Sequence, residues 1–166
     1  RLTPWDLSAL AAAGVVRPKV VRKPVVAVLS TGRELLDPHG DAQELPADRI
    51  FDANRHMLMN MVKSEGMEVV DMGIASDDFP SIRKALADAA EKADVVVCTG
   101  GVSEGEFDFV RPVLRELAEL QFDKVIMKPG KPATCAVRSG ALAAEEGATS
   151  QPQAVFFGLP GNPASA

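Results

Sequence analysis

Val25-Val26-Ala27-Val28-Leu29 runs without a polar residue into Ser30-Thr31-Gly32, and Val95-Val96-Val97-Cys98 runs in the same way into Thr99-Gly100-Gly101. Short unbroken apolar stretches rich in β-branched residues, closed by small ones, suit strands covered on both faces. Between them, residues 54–65 place Met57, Leu58, Met61 and Val62 at helical spacing, and Gly66 closes the pattern. Residues 68–74 read as a strand. Asp77-Asp78-Phe79-Pro80 then opens a helix, with an Asp as cap and Pro close behind. That helix extends to residue 93 and carries Ile82, Ala85, Leu86 and Ala89 on one face. Further along, residues 107–120 read as a helix, and 124–127 and 134–137 as strands. Residues 139–153 read as a surface insertion and 154–157 as the last strand. Strands alternating with helices indicate βαβ units, hence an α/β fold of three layers, α/β/α, with a mostly parallel sheet.

The 166-residue chain is 46% hydrophobic and 25% charged, which excludes a disordered chain and allows a real core. Its apolar runs fall short of the roughly 18 residues that span a bilayer, so no membrane insertion is expected. A net charge of −5 argues against nucleic acid as the main partner. Cys98 and Cys135 both sit in apolar stretches and supply neither a disulfide framework nor a four-ligand zinc site. They read as reduced core thiols, and a cytoplasmic location is expected. Residues 1–24 comprise a short helix capped by Thr3 and a stretch bearing Arg17, Lys19, Arg22 and Lys23. They are expected to be a linker and short helix from a preceding domain. Residues 25–166 form the main domain; Gly161-Asn162-Pro163 looks like the opening of a helix, so this domain is expected to be truncated at its C-terminal end.

Ligands of open α/β sheets collect at the carboxyl ends of the strands. Four segments leave expected strands through glycine or proline there: Ser30-Thr31-Gly32, Thr99-Gly100-Gly101-Val102-Ser103-Glu104-Gly105, Lys128-Pro129-Gly130-Lys131-Pro132 and Gly158-Leu159-Pro160-Gly161-Asn162. The second has the glycine spacing of a P-loop, but Glu106 stands where the phosphate-binding Lys is required. It also matches G-x-S-x-G, yet a hydrolase of that type needs a histidine after the serine, and His39 and His56 both precede it. What remains is a small-residue loop able to approach an anion closely. Lys128 and Lys131, held in one short loop by Pro129 and Pro132, suit an oxyanion, and Glu34, Asp52, Asp77, Asp78, Glu106 and Asp108 are acids near the same edge. Carboxylates beside a phosphate commonly hold Mg2+, whereas helix capping accounts for some of them as well.

Taken together and in order, these loops, with Glu34-Leu35, Asp52-Ala53-Asn54-Arg55 and the closing Pro163, resemble the molybdopterin-binding domain of the MoeA/gephyrin E-domain family. The resemblance covers nearly the whole chain. It implies a doubly wound, MogA-like molybdopterin-binding fold and an enzyme, a molybdopterin molybdenumtransferase. Such an enzyme inserts molybdenum from molybdate into adenylylated molybdopterin with release of AMP, in a Mg2+-dependent last step of molybdenum cofactor synthesis. By that resemblance Thr99, Gly100, Gly101, Val102, Ser103 and Gly105 would cradle the pterin or its phosphate. Glu34, Asp52 and Asp108 would hold the metal and support cleavage of the phosphoanhydride. Lys128, Gly130 and Lys131 would bind molybdate, and Pro160, Gly161 and Asn162 would complete the pocket wall. Asp77 is added by analogy with related pterin-binding domains. The family also implies a homodimeric parent and an adenylyltransferase as partner or fused domain; the fragment alone is expected to turn over weakly. A gephyrin-like receptor-clustering scaffold is the alternative for the parent. The sequence departs from the family pattern at Arg33, Glu104 and Arg111.

Overall fold

The first apolar run becomes an inner strand of a six-stranded sheet, and its lack of alternation is explained by helices on both sides. The computed structural model describes residues 2–40, 45–102, 108–138 and 153–166. Its strands are β1 (Val25–Thr31), β2 (Leu35–Leu36), β3 (Ile50–Phe51), β4 (Glu68–Ala75), β5 (Val95–Thr99), β6 (Glu119–Phe122), β7 (Thr134–Arg138) and β8 (Ala154–Leu159). The helices are α1 (Pro4–Ala12), α2 (Asn54–Ser64), α3 (Phe79–Lys92) and α4 (Val110–Leu117). The main sheet has the order β4-β1-β5-β8-β7-β6, while β2 and β3 form a separate parallel pair. Ala27 and Leu29 pack with Ile82, Leu86, Val110 and Val113 beneath α3 and α4. Val26 and Val28 pack with Met59 and the half-buried Leu58 and Val62 of α2 on the opposite face. The period-two division of β1 between two cores produces the three expected layers.

β1, β4, β5 and β8 are mutually parallel, whereas β7 is antiparallel to both β8 and β6. The sheet is therefore mixed at one side. The strand expected at 124–127 lies earlier, at β6, and α4 is correspondingly shorter than the expected helix. Its last positions are taken by β6, where Leu120 packs against the main core. Residues 124–127 leave Ile126 and Met127 exposed, because no described strand pairs with them. Asp78 is the cap of α3, accepting from the Ser81 amide at 2.8 Å, which leaves Asp77 for another role. A one-residue bulge interrupts the β1–β4 pairing after Val28. The extra residue lies between Asp71 and Ile74, where Gly73 has φ 74°, a conformation that favours glycine.

Helix α1 has the expected Thr3 cap, completed by Asp6 as a capping box, and buries none of its residues. No described helix is long and apolar enough to cross a membrane. Where the chain enters β1, Arg22 donates two hydrogen bonds of 2.5 Å to Asp94, and the Val25 amide donates a third at 2.8 Å. The Arg22 side chain first, then the Val25 amide, pull the Asp94 carboxyl down to about 2. A carboxyl whose folded-state pKa is depressed stabilises the fold above its unfolded value, and that stabilisation disappears as pH falls through the folded value. Asp94→Asn is therefore expected to lower Tm near neutral pH. Melts recorded across the acid range should show the gap to the parent protein closing as pH falls from the ordinary carboxylate value of 3.8 toward about 2. A gap that persisted unchanged to the acid end would contradict this assignment.

Candidate functional site

β1, β5 and β8 end at one edge of the sheet. Because β7 runs against β8, pairing Thr134 with Gly158, the loop that leads into β7 reaches this edge too. The four glycine- and proline-rich loops therefore converge as expected. A pocket of about 310 Å3 opens among three of them. Thr31, Gly32, Thr99, Gly100 and Gly101 form its floor; Leu35, Ile50 and Phe51 of the small β2–β3 pair stand on one side, Gly161 and Pro163 on the other. Glu34, Asp52, Asp77 and Asp108 all line it. The Asp77 carboxylate accepts from the Arg33 backbone amide at 2.9 Å, which fixes the turn after β1.

Asp52 is held far more firmly than a surface acid. It is 2% exposed; one oxygen accepts from Ser30 Oγ at 3.0 Å and the Arg55 amide at 3.2 Å, the other from Arg55 Nε at 2.9 Å. Arg55 is itself 1% exposed and also donates to Asp71 and Asp37. Burial opposes the charge on Asp71, but the Gly73 amide and Arg55 outweigh it and hold that carboxyl below its usual range. Asp37 is lowered chiefly by the His39 amide, with Arg55 adding to it. The bulge at Gly73 contributes directly, since its amide donates to Asp71 at 2.9 Å. Both Asp52 oxygens are thus occupied by donors. Among the described residues no group of three His, Cys, Asp or Glu side chains stands close enough to hold a metal, so Glu34, Asp52 and Asp108 share the pocket without forming a ligand set.

The glycines of the floor owe their identity first to close approach. A methyl group on Gly100, where φ is 87°, would overlap the Thr31 carbonyl oxygen; on Gly101 it would lie 2.8 Å from Val110 Cγ2. The Gly100 amide is already spent on the Leu159 carbonyl at 3.0 Å. Thr99 is buried, and its hydroxyl lies 3.2 Å from that of Ser30, extending the Asp52 network under the floor. Val102 belongs to the hydrophobic core rather than to the pocket, and Pro160 is buried behind the wall. Ser103 and Gly105, with Glu104 and Glu106, lie outside the described residues, as do positions 139–152 of the expected insertion.

Lys128 and Lys131 do not line this pocket. They border a separate depression beside Val125, Ile126 and Met127. Gly130 connects their loop to the C-terminal segment, since a Cβ there would stand 3.3 Å from the Ser165 carbonyl oxygen. Asn162 turns its own loop, accepting from the Ala164 amide at 3.0 Å. Cys98 and Cys135 are free and buried; burial pushes the Cys98 thiol up to about 12, so it is inert at neutral pH. The departure Arg111 pairs with Asp123 at 3.0 Å.

Arg55, Asn54, Asp71 and the Leu35, Ile50 and Phe51 wall were not singled out as site residues from the sequence. The Asp52–Arg55 spacing at the start of a helix was the available signal, since residues three apart face each other there. His39 and His56 also meet, with ring centroids 5.1 Å apart, although nothing in their spacing indicates it.

Residues 27–166 match the family model MoCF_biosynth, described as "Probable molybdopterin binding domain". The chain is 37% identical over 166 residues to the molybdopterin molybdenumtransferase of Haemophilus influenzae, covering 100% of this chain and 37% of that protein. It is 38% identical over 148 residues to the molybdenum cofactor synthesis protein cinnamon of Drosophila melanogaster, covering 89% of this chain and 22% of that one. The crystal structure of the molybdopterin biosynthesis MoeA protein from Pyrococcus horikosii superimposes with a TM-score of 0.72 at 34% identity, over 99% of this chain and 37% of that one. The tungsten cofactor synthesizing protein MoaB from Pyrococcus furiosus shares the fold, with a TM-score of 0.60 at 19% identity over 88% and 87% of the two chains. The chain thus spans little more than a third of the length of the first of these curated relatives.

Proposed function

The chain belongs to the molybdopterin-binding domain family, and from that premise we propose that it is the pterin-binding part of a molybdopterin molybdenumtransferase. In this reading the whole enzyme takes adenylylated molybdopterin and molybdate as substrates and releases AMP. The observation that carries it is the pocket at the shared strand edge, where Glu34, Asp52, Asp77 and Asp108 line a cavity whose glycines pack tightly onto β1 and α4. The apolar side chains of Leu35, Ile50 and Phe51 suit a flat heterocycle, and the polar floor suits its phosphate.

An acid-lined pocket repels a phosphoanhydride unless a cation accompanies it. Oxygen-only donors suit Mg2+, which is usually held by one or two carboxylates together with substrate phosphate. Glu34, Asp52 and Asp108 would hold it here, Asp52 through the acceptor site that its three hydrogen bonds leave. When bound, Mg2+ would neutralise the phosphate charge. The chain's own residues position and exclude: Arg55 fixes Asp52, Asp77 fixes the turn after β1, and the β2–β3 pair covers one side. Lys128 and Lys131 would serve molybdate from their adjacent depression. Residues 1–24 as a linker from a preceding domain, a cytoplasmic homodimer and an adenylyltransferase partner belong to the same reading.

Thermal melts with AMP, ADP or a soluble pterin, each with and without Mg2+, test it. Saturation at about 100 times Kd adds about 2.7 kcal/mol, which at this size raises Tm by roughly 5–10 °C. A nucleotide-dependent rise that needs Mg2+ and is lost in Asp108→Asn is the expected result. No rise with any of these ligands would overturn the reading.

A further inference from the structure

Resting on the function proposed above, we infer that Asn54 is a positioning residue: its side-chain amide clasps the loop after β8 and sets the width of the pocket. Asn54 opens α2, is 7% exposed and lines the pocket. Its Nδ2 donates to the Gly161 carbonyl oxygen at 2.8 Å, joining walls 107 positions apart in the chain. Gly161 in turn stands against the floor, where a Cβ on it would lie 3.6 Å from Gly100 Cα. The rest of that loop turns on its own bonds, from the Ala164 and Ser165 amides to Asn162. Asn54 therefore ties this turn by a side-chain hydrogen bond to the start of α2.

The other half of the same side chain argues that this tie is kept for function. Asn54 Oδ1 is buried and has no hydrogen-bond partner among the described residues. An unpaired buried acceptor destabilises the fold, and an apolar side chain of the same volume would remove that penalty. Helix capping does not account for the residue either, because the cap position is Ala53 and no side-chain bond is made there. A side chain that lowers stability on one atom while bridging a pocket on the next is the pattern of a site residue, where stability gives way to activity.

The test uses Asn54→Leu and Asn54→Ala in three measurements: Tm, amide hydrogen exchange at Gly161, Asn162 and Ala164, and titration with AMP plus Mg2+. The clasp predicts that Asn54→Leu melts at or above the parent temperature. Exchange in the loop should quicken, and AMP affinity should fall, each by about tenfold. Unchanged exchange in both variants would overturn the clasp whatever AMP does. Faster exchange with parental AMP affinity would overturn the positioning role. A large Tm loss in both variants would make Asn54 a structural residue and sink the inference as well. Failure of the parent protein to bind AMP would count against the proposed function alone, because the exchange measurement still decides the clasp.

Discussion

Arg55→Leu is expected to destabilise the fold by about 3–5 kcal/mol, the range for removing one partner of a buried ion pair. For a chain of this size that corresponds to a Tm lower by roughly 6–20 °C. Arg55 and Asp52 each have side chains only 1% exposed. Taking away the guanidinium leaves the Asp52 carboxylate buried with two neutral donors, the Ser30 hydroxyl and the backbone amide of residue 55. Asp37 and Asp71 are 39% and 45% exposed, so water screens their share and the loss falls mainly on Asp52. The double variant Asp52→Asn, Arg55→Leu should recover part of the loss, because the unpaired charge is then gone. Acid acts on the two outer partners. Asp37 and Asp71 have folded-state pKa values below the ordinary 3.8, so their contribution is present above that value and is lost as pH falls below it. The gap between variant and parent should therefore narrow at the acid end. An Arg55→Leu protein melting within the error of the parent would show that the cluster holds nothing together.

Gly100→Ala is the second large effect. The φ of 87° at this position opposes any side chain by about 1 kcal/mol, and forcing a methyl group against the Thr31 carbonyl oxygen adds about 1–3 kcal/mol of overpacking. The sum, about 2–4 kcal/mol, must be relieved by moving the ends of β1 and β5 apart. Gly100 also donates to the Leu159 carbonyl, so that movement pulls on β8 and on the far wall. Pocket geometry and stability should fail together, with a Tm lower by roughly 4–16 °C and no AMP-dependent rise. Gly161→Ala is the informative contrast. A methyl group there meets its nearest neighbour at 3.6 Å, an ordinary contact, so its Tm should stay near the parent value. Equal losses in the two variants would contradict the close-approach argument.

Both predictions turn on interactions that the sequence shows only in part. The unbroken apolar runs at 25–29 and 95–98 were enough to require helices on both faces, because no alternation leaves no side for water. An Asp at 77 or 78 as cap and Gly66 as helix stop are local matters, set within a few residues, and they were readable; the crowding at Gly100 was not, because the Thr31 carbonyl that causes it belongs to another strand. The strand at 119–122 was not, because Glu119, Leu120, Gln121 and Phe122 continue a helical pattern and only pairing with β7 makes them extended. A more strongly β-like segment at 124–127 drew the assignment instead, yet its Ile126 is fully exposed.

The candidate site divides along the same line. Motif order was enough to bring Thr99, Gly100, Gly101, Gly161 and the four carboxylates to one edge, since parallel strands deliver their ends to the same place. How Asp52 is engaged was settled by partners far along the chain. Asp52 is engaged because a bulge at Gly73 presents Asp71, and a loop presents Asp37, to the Arg55 that also holds it. The two lysines stand apart from the pocket because their loop leads into β7, which lies one strand further out than β8 in the sheet, and it borders a neighbouring depression. The sequence by itself determined the layers, the edge and the family, all consequences of periodicity and of motifs a few residues long. Only the tertiary structure decided burial, charge pairing and the Asn54 clasp, because these depend on distances between segments that the chain's own order leaves open.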